Sequence, residues 1–392
     1  MKTVLIIPSW YMDSQSPSAG TFFKEQALLI KNDFQLVMFF QERFFCSAEE
    51  LEHFEYNIRV DSNQEIPTYI GVFPQSKQIS ADKNYYAQVK ALSACLQKIN
   101  NDGFSIDIIH AQATFPAGVL ALYLHERFSI PFFITEHFGP FNVDFLHSQL
   151  WKTKMINALE KANVVYCVSK FLRQQLLMQN VKCDPIVIGN FVDDRLFTIN
   201  DKYNKTEIIR ILHIAYYPGY IKDESTLFKA LAIVRDKGYD MQLTFVGGGE
   251  PKGGFVSNNP FSLLVKEYGF ERQAIIYGGA SRGKISELMK NCDMYVSSSI
   301  SETFGISMCE AMLSGKPVVI TENGGSSEYA TPQNSVVVEI HNPEALANAI
   351  IDVHKNYSSF SPYFMRKTIV EKYGHENFRK LLVNSYNKAL EK

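Results

Sequence analysis

Apolar residues in this chain come in two kinds of run. Short unbroken ones, namely Thr3 to Ile7, Gln35 to Phe40, Ile106 to His110, Pro131 to Thr135, Val164 to Val168 and Pro185 to Ile188, read as strands buried on both faces. Between them lie stretches with helical character: a helix opening at Thr21, then Tyr85 to Ile99, Pro116 to Phe128, and a helix capped by Ser169. The alternation resumes at Arg210 to Ala215. It continues through Gln242 to Val246, Ala274 to Tyr277, Met294 to Val296, Val318 to Ile320 and Val336 to Val338. Helices are expected among and after these at Glu224 to Lys237, Lys284 to Asn291, Pro343 to His354 and Pro362 to Leu390. Strands alternating with helices predict parallel sheets of βαβ units, so the fold class is α/β. The polar segment from Asp194 to Thr206 separates the two series and reads as a linker.

Length sharpens this picture. A chain of 392 residues is too long for one ordinary core, so two domains are expected. Hydrophobic content of 46% and charged content of 20% are those of a globular protein. A net charge of −2 gives no general affinity for nucleic acid. The apolar run after Met1-Lys2 is too short for a signal peptide, and no stretch approaches the ~18 apolar residues of a membrane span. The six cysteines form no C-x-x-C pair, which fits reduced core thiols in a cytosolic protein.

The chemistry concentrates between Ser297 and Ile320, SSSISETFGISMCEAMLSGKPVVI. A polar loop, a helix from about Phe304 to Gly315 and a buried strand are expected here, with Pro317 forbidding continuation of the helix. Glu302 falls just before the helix and Glu310 two turns in. The helix N-terminus offers free N–H groups and a positive dipole end, and Gly305 lets a ligand approach that backbone. An anion site with two carboxylates suits a ligand carrying phosphate and several hydroxyls, as nucleotide sugars do.

The stretch ETFGISMCEAMLSGKPVV resembles the signature of family-4 retaining glycosyltransferases, an E-x7-E motif followed by E-A-M-x-x-G-x-P-V-V. Landmarks in the family's order span nearly the whole chain. The resemblance implies the GT-B architecture, two Rossmann-like domains facing across a cleft. It places an acceptor-side domain at residues 1–194, a donor-nucleotide domain at 207–361 and helices crossing back at 362–392. By the same resemblance Glu310 binds the ribose hydroxyls, with Phe304, Gly305 and Ile306 at the nucleotide site. Glu302 contacts the transferred sugar, His137 in T-E-H orients it, and Gly20 matches a glycine-bearing loop near the diphosphate. Lys222 matches the lysine of an R-x-x-x-x-K phosphate pair whose arginine position is Tyr217 here; Arg282 is the candidate substitute. Phe191 replaces the glycine of the family's N-G-V-D segment, and His110 has no assigned role.

No D-x-D occurs and no ligand spacing for a metal is seen, so a metal-independent reaction without a cofactor is expected. The partners implied are a nucleotide-sugar donor and a glycan or glycolipid acceptor, in bacterial polysaccharide or glycolipid assembly. Six basic residues between Lys152 and Lys182 face one acid, Glu160. They read either as a solvated helix face or as a docking surface for an anionic membrane, which would make a cytoplasmic protein peripheral at its inner face. Gly247-Gly248-Gly249 mimics a dinucleotide loop, but Glu250-Pro251 does not open a long helix. Phe39 to Tyr56 reads on periodicity as a helix burying an aromatic face, with an acceptor or lipid contact as the other reading. Two further functions share these features: a sugar-nucleotide 2-epimerase, and a non-catalytic module that binds nucleotide sugar or supports a partner enzyme.

Overall fold

The computed structural model describes residues 1–11, 20–47, 50, 53–62, 64–75, 80–215, 219–248 and 259–391. The chain divides into two compact units, one of residues 1–189 with 378–392 and one of residues 190–377.

The first unit is built on an eight-stranded sheet. In chain order its strands are β1 (Thr3–Pro8), β2 (Gln35–Phe45), β3 (Ile58–Asp61), β4 (Thr68–Gln75), β5 (Ile106–Gln112), β6 (Phe132–Glu136), β7 (Val164–Cys167) and β8 (Ile186–Val187). They lie in the order β3-β4-β2-β1-β5-β6-β7-β8. Every neighbouring pair is parallel except β3–β4. All six residues of β1 are buried, as a central strand covered on both faces requires. The helices are α1 (Thr21–Leu28), α2 (Ala81–Asn101), α3 (Val119–Phe128), α4 (Gln149–Lys161) and α5 (Lys170–Leu177). Ser80, Ser148 and Ser169 cap three of them, each hydroxyl accepting an N–H of the first turn. Trp151 is buried against Phe115 and Tyr85, and its indole N–H donates to Ala81 O at 2.9 Å.

The second unit has six strands: β9 (Ile209–Ala215), β10 (Met241–Gly247), β11 (Ala274–Tyr277), β12 (Met294–Ser297), β13 (Val318–Thr321) and β14 (Ser335–Val338). Their order is β11-β10-β9-β12-β13-β14, all parallel. Relative to β9 this is 3-2-1-4-5-6, the Rossmann order. Its helices are α6 (Glu224–Asp236), α7 (Pro260–Glu267), α8 (Arg282–Asn291), α9 (Ile306–Leu313), α10 (Pro343–Lys355) and α11 (Pro362–Tyr373). Phe228, Phe245 and Phe261 stack at the centre of its core.

One expectation changes. Phe39 to Phe45 belong to β2, not to a helix, because β4 pairs with that strand in register as far as Phe45 and Gln75. The helices expected from Pro362 to Leu390 are α11 and α12 (His375–Leu390), separated at Gly374. A Cβ at Gly374 would lie 2.8 Å from Val370 O. α11 belongs to the second unit, where Arg366 donates to the carbonyls of Asp194, Phe197 and Leu313, and residues from Phe378 on belong to the first.

On the first unit the C-terminal helix is anchored by Tyr386, whose hydroxyl hydrogen-bonds His110 Nδ1 at 2.5 Å; His110 Nε2 bonds Thr135 Oγ1 at 2.7 Å. Arg379 holds Asp33 through both nitrogens of its fork. His110 is therefore a structural residue. Burial depresses its imidazole to about 3, against an ordinary value of 6.5. Between those two values the unfolded chain binds the proton and the folded one does not, so stability falls as pH falls through that window. At pH 5 this component amounts to about 2 kcal/mol, from ~1.36 kcal/mol per pH unit. The melting temperature of His110→Gln should fall less between pH 7 and pH 5 than that of the parent protein; equal falls would refute the assignment.

Candidate active site

In the second unit the strand order reverses between β9 and β12, and the loops that leave their carboxyl ends are the place where such sheets bind ligands. Lys222 follows β9 and Glu302 follows β12. The two loops are fastened together. Ser298 Oγ donates to Lys222 O at 2.9 Å and lies 2.8 Å from Asp223 O, and Ile300 N donates to Ile221 O at 2.8 Å. Lys222 Nζ then meets Glu302 Oε1 at 2.5 Å, where Ser299 Oγ also donates at 2.8 Å. The backbone of Glu302 is held from both sides, its N–H on Asn323 O and its carbonyl on Gly325 N. A Cβ on Gly325 would come within 2.5 Å of Glu302 O, so the Asn323-Gly324-Gly325 turn fits the glutamate closely.

Gly305 caps α9 in the left-handed region, with φ +86°, and a Cβ there would stand 2.7 Å from Tyr329 Oη. That hydroxyl is 2.7 Å from Phe304 O and 2.9 Å from Gly305 O, so it fixes the turn that presents the helix N-terminus. Phe304 is buried between Tyr329 and Tyr373. Ile306 opens the helix, and Met308 to Leu313 are all buried, Glu310 at 2% exposure. The Glu310 carboxylate pairs with Arg282 at the start of α8, and the Arg282 guanidinium lies 5.0 Å over the Phe197 ring.

The loop floor carries a pair that sequence reasoning missed. Glu224, 2% exposed, accepts the N–H of Gly219 at 2.8 Å and faces His213 Nε2 at 3.9 Å. His213 Nδ1 bonds Val296 O at 2.9 Å, which couples the pair back to β12. Tyr217 lies outside the described residues, as do Gly249, Glu250 and Pro251.

Gly20 and His137 belong to the first unit. Gly20 adopts φ +65° as the cap of α1, and a Cβ would lie 2.5 Å from Trp10 O. His137 is 6% exposed; its ring edges meet Phe22 and Phe23 of that helix, and Nε2 hydrogen-bonds Gln112 Oε1 at 2.8 Å. The structure thus gathers Gly20, α1 and His137 in one unit, and Lys222, Glu302, Phe304, Gly305, Ile306 and Glu310 in the other. Glu136, beside His137, was not singled out by sequence. Fully buried, it accepts the backbone N–H groups of Thr114, His137 and Phe138. Burial nevertheless raises its carboxyl above the ordinary value.

Among the basic residues from Lys152 to Lys182, Lys152 is ion-paired with Asp144, Lys154 and Lys161 with Glu126, and Arg173 with Asp184. Among the described residues no helix is long and apolar enough to cross a membrane, and no three His, Cys, Asp or Glu are grouped as a metal site.

Known proteins carry the same two parts. Residues 201–367 match the family of glycosyl transferases group 1, and residues 43–196 match glycosyltransferase family 4. The chain belongs to the glycosyltransferases. It is 27% identical over 270 residues to an uncharacterized glycosyltransferase of Methanocaldococcus jannaschii, covering 68% of this chain and 69% of that one. It is 24% identical over 360 residues to the putative teichuronic acid biosynthesis glycosyltransferase TuaC of Bacillus subtilis, covering 88% of each. Anabaena HepE, solved in complex with UDP, superposes with a TM-score of 0.72 at 17% identity, over 99% of this chain and 100% of that one. The fold of this glycosyltransferase is accordingly two α/β Rossmann-like domains with parallel sheets.

The backbone at Gly305 admits no side chain. Gly305→Ala should lose about 1–3 kcal/mol, the usual scale of a strained left-handed residue. A melting temperature lower by several degrees would register it; an unchanged one would mean that the turn relaxes freely.

Proposed function

We propose that the protein is a retaining glycosyltransferase that moves a sugar from a nucleotide-diphosphate sugar to a glycan or lipid-linked acceptor without a metal ion. The observation that carries this reading is that each motif glutamate holds a cation: Glu302, just before α9, holds Lys222, and Glu310, within α9, holds Arg282. Donor binding then exchanges partners. The diphosphate takes the two cations and the N–H groups at Gly305 and Ile306, and the freed carboxylates accept hydroxyl protons, Glu310 from the ribose and Glu302 from the sugar. By the resemblance His137 orients that sugar. The reaction proceeds on one face of the ring through an oxocarbenium-like state, and the departing phosphate takes the acceptor proton. No protein nucleophile is required.

Charge develops on the leaving diphosphate, so preorganised cations supply much of the rate. Arg282 takes the place of the arginine that the loop lacks at position 217. HepE was solved with UDP, which makes UDP the first nucleotide to try. In a thermal-shift panel of UDP, GDP and ADP, one nucleotide should raise the melting temperature by mass action. The product's anomeric configuration, read by NMR, should equal the donor's. An inverted product would refute the retaining mechanism, and turnover of donor to a free 2-epimer would replace the whole reading.

Lys222→Ala should lower kcat by about 10²–10³, the usual loss for one aimed charge or donor. Arg282→Gln should weaken nucleotide binding about tenfold or more, since a hydrogen bond to a charged group is worth about 1.5–3 kcal/mol. Rates and isothermal titration on the two variants check this; full nucleotide affinity in Arg282→Gln would return that arginine to a structural role. Activity should also survive EDTA, and its loss with recovery on adding Mg²⁺ or Mn²⁺ would overturn metal independence.

A further inference from the structure

Beneath the loop that carries Lys222 lie two side chains that the transfer reaction does not use, His213 of β9 and Glu224 of α6. They are 1% and 2% exposed. Their facing atoms, His213 Nε2 and Glu224 Oε1, stand 3.9 Å apart, closed off from solvent and with no hydrogen-bond partner among the described residues.

The other atoms of the pair decide what these two can be. His213 Nδ1 is 2.9 Å from Val296 O. A carbonyl oxygen only accepts, so Nδ1 carries a hydrogen and donates it, and in a neutral imidazole Nε2 is then a bare acceptor. Glu224 Oε2 accepts the N–H of Gly219 at 2.8 Å, and an ionised carboxylate has only acceptors to offer. Two acceptors would thus face each other away from water, an arrangement that folded proteins avoid. A single bridging water does not resolve this, because two hydrogen bonds of about 2.8 Å through one oxygen span about 4.5 Å. The neighbours are otherwise engaged. Phe245 of β10 and Phe261 of α7 set their rings against the imidazole, Lys222 is paired with Glu302, and Asp223 is bonded to Thr226 and His341. One proton along the line from Nε2 to Oε1 removes the conflict on either atom, and it leaves the buried pair with no net charge.

The pair reaches the cation by two routes. Glu224 holds the N–H of Gly219, and the carbonyl of Gly219 accepts the N–H groups of Lys222 at 3.0 Å and Asp223 at 2.9 Å. His213 holds Val296 of β12, and the loop after that strand carries Glu302, the partner of Lys222. Tyr220 in the same turn is 83% exposed, so its side chain does not pack the turn down.

We infer that Glu224 and His213 are a positioning pair that sets Lys222 through Gly219, locked by one proton shared between them. Its bearing on transfer rests on the transferase reading above; the shared proton and the hold on Gly219 stand on the geometry of the pair.

Glu224→Gln is the diagnostic substitution. Its carbonyl can accept the Gly219 N–H while its amide N–H faces His213 Nε2, so it replaces both the carboxylate and the proton. Glu224→Leu replaces neither. Glu224→Asp, one methylene too short to span both partners, serves if the leucine variant fails to fold, with melting temperature as the control. Amide exchange across residues 219–222, read by mass spectrometry, should quicken in Glu224→Leu and stay slow in Glu224→Gln. Glu224→Leu should lower kcat by about tenfold or more, since displacing a reacting group by about 1 Å can cost about 10²-fold. Glu224→Gln should restore kcat to within about threefold of the parent. Added to Lys222→Ala, Glu224→Leu should cost little further, because a residue that acts through Lys222 has nothing left to position. In protein carrying ¹⁵N-histidine, the His213 signal, assigned by its loss in His213→Gln, should show Nε2 protonated or hydrogen-bonded. A bare Nε2, exchange unchanged in Glu224→Leu, a glutamine variant as impaired as the leucine one, or full additivity with Lys222→Ala would overturn the inference. Transfer with unchanged exchange sinks this inference alone; the expected exchange and ¹⁵N signals without transfer in the parent sink the transferase reading alone.

Discussion

The second unit depends on one constraint, the reversal of strand order beside β9. A parallel sheet that grows first to one side and then to the other leaves the ends of its two central strands with no crossover above them. The loops that emerge there must satisfy their own backbone groups. Here they do so with each other, through Ser298 and Ile300 on one side and the carbonyls of Ile221, Lys222 and Asp223 on the other. This mutual pairing places a lysine from one loop on a glutamate from the next. The Lys222–Glu302 contact of the candidate site thus follows from how the two loops satisfy their backbone groups, and His213 of the buried Glu224–His213 pair ties β9 to β12 as well.

Much of this was legible because both faces of a parallel strand are buried. Continuous runs such as Val318 to Ile320 have few other uses, and the ends of β9 to β14 fall within a residue or two of the apolar runs. What failed were places where a tertiary neighbour decides. The strand Thr68–Gln75, to which the sequence reading assigned nothing, holds Gly71 and Pro74; a Cβ on Gly71 would touch Cys95 Sγ at 3.0 Å and Phe39 at 3.2 Å, so the glycine lets a helix and a strand approach. The same strand pulls Phe44 and Phe45 out of the helical pattern expected for them.

The site divides in the same way. Glu302 and Glu310 stand in one motif whose spacing is local, so their places before and within α9 could be anticipated, whereas Lys222 comes from another loop and is tied to Glu302 only by the fold. The union of Arg282 with Glu310 spans two helices, and no local spacing announces it. Glu136 is hidden for another reason. Its work is to collect three backbone N–H groups, a task that leaves no mark beyond one acid at the end of an apolar strand.

The nesting of the two units along the chain has a temporal meaning. Residues 190–377 form one unbroken stretch inserted between the two pieces of the first unit. During synthesis the second unit can therefore be complete while the first still lacks the helix that carries Tyr386 and Arg379. His110 and Asp33 wait for partners made only after the whole second unit. The half of the molecule that begins first is closed only after the other, and a chain cut between Asn377 and Tyr386 carries its defect in the first unit, not in the second.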